Sequence, residues 1–399
     1  MTLFTHTLAK KLSPKRIGMT SLALVSASSL LWAPLAHAAE SPEVEWEKSY
    51  KPDTYALGNY QEQKHGGILF TKRQYSQTKI MGIDESGEIS TKLTLPDKFY
   101  VAGMDQTNDG GYILSSHNQN IRIMKTNKHG KILWEKTIDK QPYSTFGTVI
   151  QTSKEEYLIA SSIRLPDNST ETYVAKLDEE GELLWEKKIK DISPSGFQET
   201  TDGNVILTGV LTKTVNDYLN NYDLYVSKID SEGNTVWEIT HETGNSTSPS
   251  QAVATPDGGV IIASTDSTIN YVPERTGYLV KVSGDGSVQW EKTLPRELSY
   301  SGLKYIHTTE DGNYILNGYI NYQQRNMNYG YSDEYIAKID EDGNTLWDKT
   351  FAGKWDDEFA ELCENRGGVI ITQTKDGGYL EVGIDENKYT LNITKLKSE

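Results

Sequence analysis

Hydrophobic and polar positions recur in two phrases that alternate along the chain. In the first, an apolar run enters an acidic turn and leaves as an alternating strand ending in Trp-x-Lys. Tyr173-Val174-Ala175-Lys176-Leu177-Asp178-Glu179-Glu180-Gly181-Glu182-Leu183-Leu184-Trp185-Glu186-Lys187 is one copy, and Tyr335 to Lys349 is another. Tryptophans at 134, 185, 237, 290 and 347 mark its spacings of 51, 52, 53 and 57 residues. The second phrase, Asp-Gly-Gly-Tyr-Ile-Leu or a variant, starts at Asp109, Asp202, Asp257, Asp311 and Asp376, with weaker copies at Gly66-Gly67 and Glu155-Glu156-Tyr157.

Each phrase reads as a tight antiparallel hairpin. Asp before Gly suits a type I turn closed by a left-handed residue, and the flanks are rich in strand-forming Tyr, Ile, Val and Thr. Two hairpins per repeat give four strands, A to D, and fixed-period four-stranded units are propeller blades. The sequence therefore predicts an all-β, seven-bladed β-propeller with four-stranded antiparallel blades. The C-terminal repeat ends in a strand C, Leu391 to Leu396. A lone strand D, Val44-Glu45-Trp46-Glu47-Lys48, precedes the first repeat and should complete the last blade, leaving no open ring edge. The repeated tryptophans are expected to pack between neighbouring sheets. Blade one departs from the pattern, because Thr91 stands where Trp is expected.

The first 38 residues are unlike the rest. Lys10, Lys11, Lys15 and Arg16 precede an apolar stretch from Met19 to Trp32, Pro34 and Ala36-His37-Ala38. That is the layout of a secretory signal cut after Ala38, and its apolar run is shorter than the ~20 residues of a membrane span. The organisation read is thus a signal over 1–38 and one propeller over 39–399, exported to the periplasm or medium, monomeric, without a membrane span. The chain carries 40 Lys+Arg against 56 Asp+Glu, and removing the signal's four basic residues takes the net charge to −20. A field of that sign repels nucleic acid. The single cysteine, Cys363, excludes an intramolecular disulfide.

The repeat resembles bacterial secreted propellers whose units read Asp-Gly-Gly-Tyr-Ile-x-x-Gly and then Lys-x-Asp-x-x-Gly-Asn-x-x-Trp-x-Lys-Thr. The match runs over about residues 44 to 396 and speaks for architecture, not activity. A more distant likeness is to the tryptophan-docking repeats of quinoprotein dehydrogenases and their non-catalytic scaffold relatives. The turn Asp230-Ser231-Glu232-Gly233 is one residue shorter than theirs, so no quinone cofactor is expected. The order Asp340 to Trp347 also departs from the sialidase Asp-box.

Candidate chemistry is sparse. His65, His117, His129, His241 and His307 have no metal-ligand spacing and read as solvated surface residues; no metal site is expected. The acidic turns lack the ligand spacing of an EF-hand. The informative asymmetry lies in the B–C connections, which are longer in blades three to six. Blade four has Thr212 to Asp223 with Tyr218 and Tyr222; blade five has Ser267 to Gly277 with Tyr271 and Arg275; blade six has Asn321 to Glu334 with Tyr322, Arg325, Tyr329 and Tyr331. These connections should form a crescent on one face, joined by Trp355 from the link before blade seven. Tyr and Asn with a few Arg is a binding-surface composition. The leading expectation is a non-catalytic module holding a protein or glycan. The alternative is an enzyme, a hydrolase or lyase working on a polysaccharide or small molecule at the central funnel, with Asp356, Asp357 and Glu358 as its carboxylates.

Overall fold

A computed structural model describes residues 30–31, 40–51, 56–63, 66–118, 120–137, 144–165, 169–216, 219–243, 246–267, 275–294, 300–321, 333–351, 366–385 and 390–399. It is a seven-bladed β-propeller. Leu30–Leu31 (β1), within the stretch read as an export signal, lies parallel to Lys292–Thr293 at the rim of blade five. Val44–Tyr50 is β2. Blade one comprises Ala56–Glu62, Ile68–Gln74, Gln77–Ile83 and Ile89–Thr94 (β3 to β6), and blade two Val101–Gln106, Tyr112–Asn118, Asn120–Thr126 and Ile132–Thr137 (β7 to β10). Blade three holds Ser144–Gln151, Tyr157–Arg164, Thr170–Leu177 and Leu183–Lys190 (β11 to β14), and blade four Ile192–Glu199, Val205–Asn216, Leu219–Ile229 and Thr235–His241 (β15 to β18). Blade five holds Ser246–Ala254, Val260–Ser267, Arg275–Val282 and Val288–Thr293 (β19 to β22), and blade six Tyr300–Thr308, Tyr314–Asn321, Asp333–Ile339 and Thr345–Phe351 (β23 to β26). Blade seven is Arg366–Gln373, Tyr379–Asp385 and Thr390–Leu396 (β27 to β29) with β2 as its outer strand, in register from Val44↔Leu396 to Tyr50↔Leu391. The expected ring closure is therefore present.

The burial pattern explains the strand order. Middle strands are covered on both sides: every residue from Tyr157 to Ile163 is buried, as is Glu171 to Leu177. Strand D is outermost and alternates, as in β14. Among the described residues, the buried apolar side chains form seven clusters, each at one blade–blade boundary. The boundary between blades four and five, for example, packs Ile206 and Val226 against Ile262 and Val280.

Turn chemistry follows the sequence. In the Thr107–Gly111 turn, Gly110 N donates to Thr107 O at 2.8 Å, and Gly110 has φ +77°. Glu155 takes the same left-handed role with φ +64° in the weak blade-three copy.

Tryptophan joins the blades. In strand D the ring lies over the glycine of the next blade's C–D turn, and Nε1 donates to a carbonyl of that turn. Trp134 Nε1 reaches Glu179 O at 3.0 Å, Trp185 reaches Ser231 O at 3.0 Å, Trp237 reaches Gly284 O at 2.9 Å and Trp290 reaches Glu341 O at 3.1 Å. A Cβ added at Gly233 would fall 2.8 Å from Trp185, so glycine is needed there for close approach as well as for φ. Blade seven's C–D connection is replaced by two separate strand ends, and Trp347 donates instead to Glu399 Oε1 at 2.8 Å. Blade one differs again. Its strand-C position that is Lys elsewhere is Gly82, and its register shift falls after Thr91 instead of before the tryptophan site. Leu93 takes over the docking: a Cβ at Gly130 would meet it at 2.4 Å.

Candidate functional site

The A–B and C–D turns share one face; the B–C connections and D-to-A links share the other. On the turn face, an ion pair ties strand C to the A–B turn within each of four blades. A lysine at a fixed position near the end of strand C, Lys-x-Asp in blades four and six, is buried and returns to the A–B turn of its own blade. Lys125 Nζ lies 2.9 Å from Asp109 Oδ2, Lys228 Nζ 2.6 Å from Asp202 Oδ2, Lys338 Nζ 2.8 Å from Asp311 Oδ2 and Lys395 Nζ 2.7 Å from Asp376 Oδ1. Burial would raise the Asp109 carboxyl, but hydrogen bonds from Lys125, Thr107 and Gly111 outweigh it and hold its pKa at about 2. Asp202 is at about 2 for the same balance of causes, with Lys228, Thr200 and Asn204 as donors. Lys395 and Thr374 bring Asp376 to about 2. Such perturbed carboxylates mark functional sites when they gather in a cleft. Here they are distributed one per blade, which is a structural repeat.

A second repeat lies near the other face. Tyr173 donates to Glu186 Oε2 at 2.6 Å, Tyr225 to Glu238 Oε2 at 2.9 Å and Tyr278 to Glu291 Oε2 at 2.9 Å. Burial, then the adjoining carboxylate, pushes the Tyr278 hydroxyl far above its ordinary pKa.

Two histidines differ from the sequence expectation. His241 is not a free surface residue: Nε2 sits 2.9 Å from Tyr278 OH and 3.2 Å from Glu291 Oε1, joining blades four and five. His307 Nε2 lies 2.8 Å from Glu62 Oε2, while Thr372 donates to Glu62 Oε1. This contact ties the inner strands of blades six, one and seven. His129 is exposed, as expected. Among the described residues no group of three or more His, Cys, Asp or Glu could hold a metal ion.

On the opposite face, blade four departs from its neighbours. The Thr212–Asp223 insertion, expected as a loop, is mostly strand. β16 and β17 continue past their neighbours as a two-stranded ribbon, pairing Thr212↔Tyr222, Lys213↔Asn221, Thr214↔Asn220 and Asn216↔Leu219. β15 pairs no further than Leu211, and β18 no further than Leu224, so both ribbon edges lack a neighbouring strand among the described residues. The β-branched residues Thr212, Thr214 and Val215 were the sequence signal for this extension. The ribbon's base is clamped: Lys213 Nζ is 2.6 Å from buried Asp223 Oδ2 and also pairs with Glu242. Those two carboxylates raise the lysine's pKa, keeping it charged.

Tyr222 lies on the ribbon and is 38% exposed. Arg275 is exposed at the start of β21 in the adjoining blade, where it bridges to Tyr300 of blade six. The described residues thus place Tyr222 and Arg275 on the expected face in consecutive blades. Tyr218, Tyr271, Tyr322, Arg325, Tyr329, Tyr331, Trp355, Asp356, Asp357, Glu358 and Cys363 lie outside the described residues.

Solved structures with the same architecture include a streptogramin B lyase, 14% identical with TM-score 0.58, matched over 88% of this chain and 98% of that one. A virginiamycin B lyase from Staphylococcus aureus, 11% identical with TM-score 0.56, is matched over 88% and 99%. At these identities the likeness shows the fold alone. No curated protein matches the chain. No described helix is long and apolar enough to cross a membrane. The model of the PQQ_2 family matches residues 80–297 and 222–354, more than half of the chain and including the docking tryptophans from Trp134 to Trp347. The chain belongs to this propeller family, described as outer membrane protein assembly factor BamB.

Proposed function

We propose that this protein is an exported, non-catalytic scaffold propeller of the cell envelope that binds a protein partner through its B–C face. The observation that carries the reading is the blade-four ribbon, which breaks an otherwise regular repeat and presents two strand edges and exposed Tyr222. Unpaired strand edges bind extended chains through main-chain hydrogen bonds, and rigid aromatic anchors supply contact area at low entropic cost. The perturbed aspartates are committed to tying strand C to the A–B turn within their own blades, a structural task repeated from blade to blade. The family's description supplies the partner class, a component of outer-membrane protein assembly. The export part of the reading rests on the signal-like segment 1–38, and the crescent of Tyr218, Tyr271, Tyr322, Arg325, Tyr329, Tyr331 and Trp355 would extend the same surface beside the ribbon.

The test is to trim the ribbon's tip, replacing residues 214–220 by Asn-Gly so that Lys213 and Asp223 stay paired, and to place a photo-crosslinking residue at position 222 in both the trimmed and the untrimmed protein. Crosslinks to outer-membrane assembly components, lost on trimming with the melting temperature held, are the expected result. Equal recovery by trimmed and untrimmed protein would remove the ribbon from the binding surface.

A second reading, catalysis in the channel, is favoured by one contact: a histidine and a carboxylate, His307 and Glu62, 2.8 Å apart on inner strands from different blades. His307→Gln that leaves an identified turnover unchanged would dispose of it.

A further inference from the structure

A propeller exposes unpaired main chain along the outer strand of each blade. Among the described residues, the outer edges of β2, β6, β10, β14, β18 and β26 carry no further strand, whereas that of β22 in blade five does. Leu30–Leu31 lies along it in parallel, with Leu30↔Lys292 and Leu31↔Thr293 as partners. The cover shows in the burial of β22. Beyond Trp134 and Trp185, strands β10 and β14 alternate between exposed and half-buried positions, but Trp290, Glu291, Lys292 and Thr293 are all half-buried. Glu186, which holds Tyr173 as Glu291 holds Tyr278, is exposed. Burial also lowers the pKa of the Lys292 ammonium, against the opposing charges of Asp340 and Asp342.

The tether is long enough to reach this edge. Lys349 Nζ donates to Pro42 O at 2.6 Å, so the chain ahead of β2 already lies against the outer strand of blade six. One blade boundary separates that point from β22. The nine Cα–Cα steps from Leu31 to Glu40 extend over about 30 Å at most. Composition suits an edge as well. No Asp, Glu, Lys or Arg stands between Arg16 and Glu40, so pairing there buries no unmatched charge of the segment. Strand edges take up extended segments through main-chain hydrogen bonds. Two parallel pairs make a weak contact alone, and attachment strengthens it by supplying a high effective concentration.

We propose that the outer edge of β22 is a strand-addition site whose occupant is this chain's own apolar N-terminal segment. In the unprocessed protein that segment caps blade five at Leu30–Leu31, and removal of residues 1–38 uncovers the edge. The capping stands on the pairing itself; the uncovering rests on the export reading.

The experiment compares amide hydrogen exchange in three proteins. They are the full chain, the full chain carrying Leu30→Pro and Leu31→Pro, which removes both main-chain donors, and residues 39–399, which keep every strand of the seven blades. Amides of residues 290–293 should exchange at least about fivefold more slowly in the full chain than in the other two, while those of 183–190 agree among all three within about twofold. A cross-link fixes the register. In a Cys363→Ser background, Leu31→Cys combined with Thr293→Cys should form a disulfide at least about tenfold faster than Leu31→Cys combined with Thr137→Cys, the equivalent position in blade two. Equal exchange of 290–293 in the three proteins, or equal cross-linking at the two positions, would overturn the capping. N-terminal sequencing of the protein recovered from the cell envelope tests the uncovering separately. A start at Ala39 is expected, and a start ahead of Leu30 would overturn the uncovering together with the export reading, with the capping still decided by the exchange result.

Discussion

Replacing Trp347 with alanine tests how the ring of blades is held together. Trp347 is fully buried, whereas the docking tryptophans of blades two to five and Trp46 are only partly so. Its indole meets the Tyr379 ring edge-on, with centroids 5.7 Å apart and an interplanar angle of 65°, and Nε1 donates to Glu399. Truncating a buried Trp to Ala costs about 3–5 kcal/mol, of which the aromatic pair contributes ~1. Glu399 keeps its bonds to Lys338 and Tyr379, so no carboxylate is orphaned and the upper end of that range is not expected. At about 2 cal/mol/K of unfolding entropy per residue, 4 kcal/mol in a chain of this size lowers the melting temperature by roughly 5 °C. Scanning calorimetry on wild type, Trp347→Ala and Trp347→Phe measures this directly. The phenylalanine variant keeps the ring packing and loses one hydrogen bond, so it should recover more than half of the loss. A drop below about 1 °C for Trp347→Ala, or equal drops for both variants, would refute the docking account.

At the blade one to two boundary, Leu93→Ala should cost about 2–5 kcal/mol and Thr91→Ala under about 0.5, read by urea unfolding; the reverse order would mean that Leu93 is not the substitute dock. The carboxyls of Asp109, Asp202 and Asp376 have folded pKa values of about 2, below the ~3.9 of an unfolded aspartate. Their stabilisation is therefore complete above about pH 4 and is lost as the pH falls through about 2. Lys228→Met should flatten the pH dependence of the unfolding free energy in that window by up to one proton, and an unchanged slope would show that Asp202 owes nothing to the lysine. Deleting residues 40–50 should open the β29 edge and give dimers or larger species in sedimentation, whereas a monomer with native melting temperature would contradict the closure role of β2.

The fold was legible because each blade repeats the same solution, and seven imperfect copies reinforce one another. Tryptophan, the turn glycine and the lone strand at Val44 each had one meaning once the period was seen. The lysine of Lys-x-Asp was equally visible, yet its role was not, because partnership with an aspartate some twenty residues earlier depends on the strand order. Leu93 was hidden for a different reason: a one-residue register shift moved the dock off the position the repeat specified. In the candidate site, only exposure on a common face could be anticipated. The sequence between Thr212 and Asp223 carried strand propensity, but its asparagines and tyrosines read as loop, and pairing between the two halves outweighed that composition.

The closing strand also governs the order of events in folding. Ser49 and Asn392, which meet at 2.8 Å in blade seven, are 343 positions apart, while the four strands of each of the other six blades follow one another in sequence. Bringing the two ends of so long a loop together costs about 3 kcal/mol more than closing a ten-residue hairpin. Blades one to six can form from local contacts before that cost is met, so blade seven is the step that completes the ring and the step that barrier-crossing waits on. In the native state the same asymmetry predicts that the ring opens first at β2. Backbone amides of Val44–Tyr50 should exchange with solvent ahead of those in the middle strands of the other blades.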